Sequence, residues 1–208
     1  MSLRTDALKA SPPMFESRLL DFFTRVHPAV PAVLFAPAIA LLAVVGMGRA
    51  GVGPALAWAL GGYAVWTLTE YWLHRVVFHL EPANGLGRRL HWMIHGVHHD
   101  HPNDPLRLVM PPAASVPLAT AFCVAFRLGL GATAAPAFAA GFLGGYLAYD
   151  TVHYLVHHHR PRTRVGRKLR ELHMRHHFQD HDRGFGVSAP WWDHVFGTSS
   201  RPPRRSGA

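Results

Sequence analysis

Ten histidines in four short clusters are the residues of this chain best suited to chemistry. They fall at His74 and His79, at His95, His98 and His99, at His153 and His157, and at His173, His176 and His177. Neutral imidazole is the commonest protein metal ligand, and i, i+3 and i, i+4 spacings put helical side chains on one face. Each triplet therefore shares a face, and so do His153 and His157. His74 and His79 are five apart, a spacing that predicts a distorted helix end. A ligand set of imidazoles without thiolates favours iron, zinc, copper or nickel. Structural zinc sites use four ligands, often with cysteine. Ten histidines exceed that number and are enough for two metals. Such a pair beside a bilayer can activate dioxygen against an unactivated C–H bond, a reaction beyond any side chain alone.

The elements that must position these residues are apolar helices. The chain has 208 residues, enough for one compact unit. Its formal charge of +9 suits nucleic acid or an anionic membrane surface, and the apolar segments decide for the membrane. The single cysteine, Cys123, excludes an intrachain disulfide and a cysteine-based zinc site; inside an apolar run it reads as a small buried hydrophobe. The first residues are polar and the first long apolar run starts late, so no cleavable signal peptide is expected. Phe15, Leu19, Phe22, Phe23 and Val26 form a stripe over residues 14–26, which predicts an interfacial amphipathic helix within an N-terminal segment of residues 1–30. The segment over 31–198 is read as one membrane domain. Within it, residues 31–48, 54–73, 108–126 and 132–149 each approach the roughly 20 residues that cross a hydrocarbon core. Residues 199–208 read as a disordered basic tail.

The connections set the topology. Arg49 to Gly53 and Arg127 to Gly131 are tight hairpins, so the N-terminus, residues 74–107 and everything after Asp150 lie on one side. That side carries Arg88, Arg89, Arg160, Arg162, Arg164, Arg167, Lys168 and Arg170, and the positive-inside rule makes it cytoplasmic. All four histidine clusters fall there. The fold class expected is all-α: a multi-pass integral membrane protein with four transmembrane helices and a cytosolic histidine-rich helical cap holding a dimetal site.

Several segments carry a resemblance to a known family. These are His74-Arg-Val-Val-Phe-His79; His95-Gly-Val-His98-His99 with Arg107-Leu-Val-Met-Pro-Pro112; Tyr149-Asp150-Thr-Val-His153-Tyr154-Leu-Val-His157; and His173-Met-Arg-His176-His177. Gly184-Phe185-Gly186-Val187-Ser188 and Trp192-Asp193-His194-Val195-Phe196-Gly197-Thr198 complete the set. Over roughly residues 55–198 the chain resembles the membrane fatty acid hydroxylase superfamily, which shares its histidine logic with sterol desaturases and carotenoid hydroxylases. The Arg-Leu-Val-Met-Pro-Pro and Gly-Phe-Gly-Val segments bring it nearest to fatty acid (sphingolipid) 2-hydroxylases. The resemblance implies an O2-dependent non-haem diiron oxygenase that hydroxylates a long acyl chain at C2. All ten histidines map onto the family's metal ligands. Iron is the metal such a reaction needs, and zinc would occupy the same imidazoles in purified protein. Eukaryotic members often carry an N-terminal cytochrome b5 domain; none fits before residue 31, so a separate donor such as a cytochrome b5 or a ferredoxin is expected. The basic cap would suit an acidic redox partner. The partners implied are thus the bilayer, an acyl lipid and a redox protein, not nucleic acid.

Other polar residues have narrower roles. His91, four before His95, suits hydrogen bonding behind the ligands. Asp150, three before His153, could orient an imidazole or sit as a helix-end carboxylate at the interface. Glu70, four before His74, poses the same choice, since a charge near a span end is costly unless used. His158 and His159 point away from His157; His27 and His194 read as structural, and His101 and His181 as neighbours of the site. Tyr154, Trp191 and Trp192 suit interfacial anchors. Basic residues of the cap such as Arg107 could hold a lipid head group. Two rivals remain. A desaturase or hydroxylase of sterols or carotenoids would share the histidines. A metal transporter would need ligands near the bilayer midplane, whereas these sit at span ends.

Overall fold

The computed structural model describes residues 3–80 and 82–201. Helices account for every regular element, and no strand occurs among the described residues. Two short helices, α1 (Leu3–Lys9) and α2 (Arg18–Phe22), precede the apolar part. Next, α3 (Val30–Ala50) has proline in its first turn, where the missing N–H costs nothing. It reverses at Gly51 into α4 (Val52–Trp72). The longest helix, α7 (Pro112–His158), is broken at Gly131, whose φ of 76° and ψ of 179° are not helical. Phe122 stacks on Phe142 at 4.7 Å between ring centres and Phe126 on Phe138 at 4.8 Å. Those pairs make α7 an antiparallel hairpin about Gly131. The apolar part is therefore four antiparallel helical arms.

Two helices, Val30–Ala50 and Pro112–His158, are long and apolar enough to cross a membrane. The second supplies two of the four apolar segments expected from sequence. The segment expected over 54–73 lies in α4, where Tyr63, Thr67, Thr69, Glu70 and Tyr71 dilute its apolar residues. The segment expected to begin at residue 108 turns helical only at Pro112.

Packing within the bundle is close. A Cβ at Gly62 would lie 2.0 Å from the Phe138 carbonyl oxygen, and one at Gly141 would lie 1.8 Å from that of Ala59. No other residue lets α4 and the second arm of α7 meet backbone to backbone there. Phe35, Trp66, Phe142 and Tyr146 fill the adjoining core, with Trp66 edge-on to Phe142 at 5.2 Å and to Tyr146 at 5.4 Å.

The cap is built from the polar segments. A π-helix (Leu73–Phe78) continues α4; α5 (Gly85–His91), a second π-helix (Trp92–Gly96) and α6 (Val97–Asp100) follow. After α7 come α8 (Arg164–Phe178), capped by the Thr163 hydroxyl accepting the Gly166 N–H, and α9 (Trp191–Val195). The N-terminal segment hooks onto the loop after α6. Leu106 accepts the Val26 N–H at 2.7 Å, and Arg107 donates to Asp21 at 2.9 Å. The expected amphipathic helix is cut to the five residues of α2, with Asp21 accepting the Met14 N–H, bonding Arg25 and held from outside by Arg107. Leu19, Leu20, Phe22 and Phe23 are nonetheless exposed together. From residue 202 on, the expected basic tail lies outside the described residues.

Candidate metal centre

All ten clustered histidines converge, in two groups of five. His74, His79, His95, His99 and His176 form the first group; His98, His153, His157, His173 and His177 form the second. Within each group, one nitrogen from every ring lies within 4.8 Å of all the others. Each element contributes for a local reason. The distortion expected between His74 and His79 is the first π-helix, whose wider turn brings residues five apart to one side. His91 donates to the Phe78 carbonyl at 2.6 Å and so holds the backbone next to His79. On α7, His153 and His157 face the site one turn apart.

The triplets behave differently from the expectation that each acts as one face. His95 and His99 join the first group while His98 joins the second; His173 and His177 join the second while His176 joins the first. An i, i+4 pair on a helix is offset by only about 40°, whereas the third histidine is offset by about 60° or more to one side. Each triplet therefore feeds both groups. The groups touch where the rings of His99 and His177 stack at 4.2 Å.

Spacing of the nitrogens fits metal ligation. In the second group, Nε2 pairs lie 3.1 Å apart for His98–His177, His153–His98 and His177–His173, and 2.8 Å for His157–His173. In the first, His74–His95 and His99–His95 pairs lie at 3.2 and 3.0 Å. Metal–imidazole bonds are about 2.0–2.1 Å, so two such bonds at right angles end about 3 Å apart. The Nε2 atoms of His79 and His176 are buried without a hydrogen-bond partner. Burial, reinforced by the neighbouring imidazoles, pushes the rings' affinity for protons down: to about 3 for His79 and about 2 for His99, and well below the usual value for His74, His95, His98, His173 and His177. The rings are neutral at neutral pH, with lone pairs free for a cation.

A strap from Arg183 to Ser188 braces the first group. The His74 Nδ1–H donates to the Phe185 carbonyl at 2.6 Å, and the His176 Nδ1–H donates to that of Arg183 at 2.7 Å. Gly184, with φ of 76°, lies between the two carbonyls in a backbone conformation that side-chain-bearing residues seldom adopt. Two buried carboxylates hold the strap. Glu70 accepts the Ser188 N–H at 2.7 Å and also its hydroxyl; Asp193 accepts the N–H groups of Phe185 and Gly186, both at 2.9 Å, and the Thr198 hydroxyl at 2.8 Å. Tyr71 then bonds Thr198 at 2.9 Å, and the Trp192 indole donates to Thr67 at 3.1 Å.

The remaining candidates are placed elsewhere. Glu70 thus reaches the strap and not an imidazole. Asp150 accepts the Tyr146 hydroxyl at 3.3 Å one turn below His153 and is buried, with no hydrogen bond to a ring. Arg107 is buried against Asp21 and Asp104, at 2.9 and 3.7 Å, and cannot greet a head group. Burial raises the Asp21 carboxyl's proton affinity, but its hydrogen bonds from Met14, Arg25 and Arg107 outweigh that and hold it below the usual value. His101 donates to Ala7 in the N-terminal hook. His181 lies exposed beside His99, with rings 5.7 Å apart and outside both groups. Asp193 and the two strap carbonyls were not read as site residues from sequence.

Comparison with known proteins follows the same outline. A profile described as fatty acid hydroxylase matches residues 59–198. The dihydroceramide fatty acyl 2-hydroxylases FAH2 and FAH1 of Arabidopsis thaliana are 36% and 38% identical to this chain. The matches cover 90% of this chain and 79% of FAH2, and 96% of this chain and 85% of FAH1. The ceramide very long chain fatty acid hydroxylase SCS7 of Saccharomyces cerevisiae is 41% identical over 68% of this chain and 37% of its own length. Among solved structures, full-length scs7p, with only its hydroxylase domain visible, superposes with a TM-score of 0.89 at 34% identity, covering 96% of this chain and 76% of that one.

Proposed function

Because the chain belongs to the fatty acid hydroxylase family, we propose that it inserts a hydroxyl group at C2 of a long-chain acyl group carried by a sphingoid-type lipid. The observation that carries this reading is the pair of five-histidine groups set on one end of an apolar helical bundle. Its relatives' named activities supply the carbon and the lipid class.

The ten histidines would hold two metal ions, iron in the active enzyme. Bound there, the metals would supply the activation of dioxygen that C–H hydroxylation requires. The chain's own residues hold the ligands still. The strap fixes His74 and His176 with their Nδ1 protonated and their Nε2 turned inward, and the carbonyl partners increase ligand basicity. The four arms would cross the bilayer, with both termini and the histidine groups on the cytoplasmic side, where the Lys and Arg residues concentrate. The lipid's polar head would then lie at the membrane surface beside the histidine groups, and the first acyl carbons would be those within reach. Electrons would come from a separate acidic redox protein docking on the basic cap, where Arg164, Arg167 and Lys168 are exposed on α8.

Lipid mass spectrometry of cells with and without the gene tests the reading. The expected result is a gain of one oxygen on acyl lipids, mapped to C2 by fragmentation. A hydroxyl mapped to mid-chain or to a ring would overturn the assignment of the carbon.

A further inference from the structure

The two histidine groups are not equally enclosed. All five rings of the second group are buried, between 2% and 6% exposed, and so are His74, His95 and His176 of the first. Of the ten, His79 and His99 alone are half-buried. Their rings lie 4.9 Å apart, edge to face, and the His79 Nε2 has no hydrogen-bond partner. The centre therefore meets the outside at these two rings.

His181 stands at that place. It is exposed, and its ring lies 5.7 Å from that of His99. Asp180 and Asp182 flank it, and both carboxylates lie close enough to act electrostatically on His176 of the first group. The arginines nearest in sequence are engaged elsewhere. Arg183 donates to the Ser199 carbonyl at 3.0 Å, and Arg175 bonds Glu171 and the Arg201 carbonyl. A basic cap thus presents two carboxylates and an imidazole beside the first group, a combination that attracts a cation.

We propose that metal ions enter and leave through this mouth: His181 takes hold of the incoming cation, the first group receives it across His99 and His79, and the second group is filled by way of the first. The inference rests on the two-metal reading above. Stripping a divalent cation of all its waters at once is prohibitive. Exchange of one ligand at a time avoids that cost. Each imidazole nitrogen displaces one water, and a neutral ring has no proton to release from that nitrogen. His181 is the first such nitrogen on the way in. Where the groups touch, His99 stacks on His177 at 4.2 Å, so an ion moving inward has a second-group ring beside the one it leaves. From below, the second group is closed by the apolar core of Trp66, Phe142 and Tyr146, which is no path for an ion. A transit ligand acts on the barrier and not on either end. It speeds arrival and departure alike and leaves the affinity as it was.

Isotope exchange on the purified, metal-loaded full chain tests the route. Protein carrying natural zinc is mixed with an excess of isotopically enriched Zn2+, and the bound isotopes are counted over time by mass spectrometry. Two ions exchanging at separate rates are expected. His181→Ala is expected to slow the faster one on the order of tenfold, the low end of what concentrating an ion at a cleft provides. Two ions should remain bound, with the affinity from chelator competition unchanged. His181→Asp, which restores a cation ligand, is expected to recover most of the rate. His79→Ala takes away an outer ring. Its metal content should fall toward one, and the remaining ion should exchange faster than the slow ion of the unsubstituted chain, because its cover is gone. An unchanged rate in His181→Ala overturns the capture role, and so does a loss of affinity, which would make His181 a ligand or a structural support. A remaining ion that exchanges no faster in His79→Ala has another way in and overturns the order of filling. Fewer than two ions on the unsubstituted chain at full occupancy would instead overturn the two-metal reading itself.

Discussion

Glu70 accepts the backbone N–H of Ser188 at 2.7 Å, across 118 residues of sequence. That bond ties an apolar helix to the strap whose carbonyls hold His74 and His176. The carboxylate is buried, and a charge in such surroundings persists only where hydrogen bonds compensate it.

Glu70→Gln keeps an oxygen for the Ser188 N–H, turns an NH2 toward the Ser188 hydroxyl and removes the charge from both hydrogen bonds. A hydrogen bond to a charged group contributes about 1.5–3 kcal/mol, and lost partners behind a ligand lower metal affinity roughly 10–100-fold. Competitive chelator titration is expected to show that loss for one metal of the two, with Asp193→Asn giving the same pattern. Equal weakening of both metals would separate the strap from the first group.

His98→Ala removes one of the five histidines of the second group and leaves the first group complete. Metal content measured on purified protein is expected to fall from two ions per chain toward one, with hydroxylation abolished and helicity by circular dichroism retained. His181→Ala, which lies outside both groups, is expected to keep two.

Acid should weaken the fold first and then release the metals. The folded state depresses the rings' proton affinity, to about 3 for His79 and His153 and about 4 for His176, from an ordinary value of 6.5. Below pH 6.5 the unfolded chain binds more protons than the folded one, so stability rises with pH in this window and is lost as pH falls. Protons also compete with metal for the same nitrogens. Dialysis against a pH series is expected to show thermal stability falling below pH 6.5 and metal loss only as the pH passes below about 4, where the folded rings themselves take up protons. Retention of both ions at about pH 2, below these values, would show that the rings do not hold them.

A reporter fused after Ala208 is expected to be active in the cytoplasm, as is one placed before Met1. The proposed topology of four crossings, with the Lys/Arg bias, places both termini on that side. Activity confined to the opposite side would invert the bundle.

Much of the centre was legible because histidine spacing is a direct record of helical geometry. The five-residue gap from His74 to His79 marked a distorted turn, and the structure supplies a π-helix there. Splitting of the triplets was not legible: spacing says which rings lie near one another, while the assignment of His98 and His176 depends on where neighbouring helices stand. The strap carbonyls of Arg183 and Phe185 left no signal, since every residue has a carbonyl. Glu70 was conspicuous as a charge in an apolar run, but its partner is a backbone N–H far away in sequence. Of the stripe from Phe15 to Val26, Leu19, Phe22 and Phe23 are exposed while Val26 packs on Leu108 and Val109, and the helix is shorter than the stripe, with Asp21 recruited by Arg107 of a distant loop.

The strap also imposes an order in time. Glu70, Thr67 and Tyr71 are made early, yet their partners Ser188, Trp192 and Thr198 come near the end of the described chain. At about 5–20 residues per second, the ribosome needs roughly 6–24 s to travel from Glu70 to Ser188. Through that interval the Glu70 carboxyl lacks the partners that satisfy it in the folded chain. Its hydrogen bonds therefore wait for the last segment to arrive, so a nascent chain that stalls before residue 188 leaves that acid without its partners.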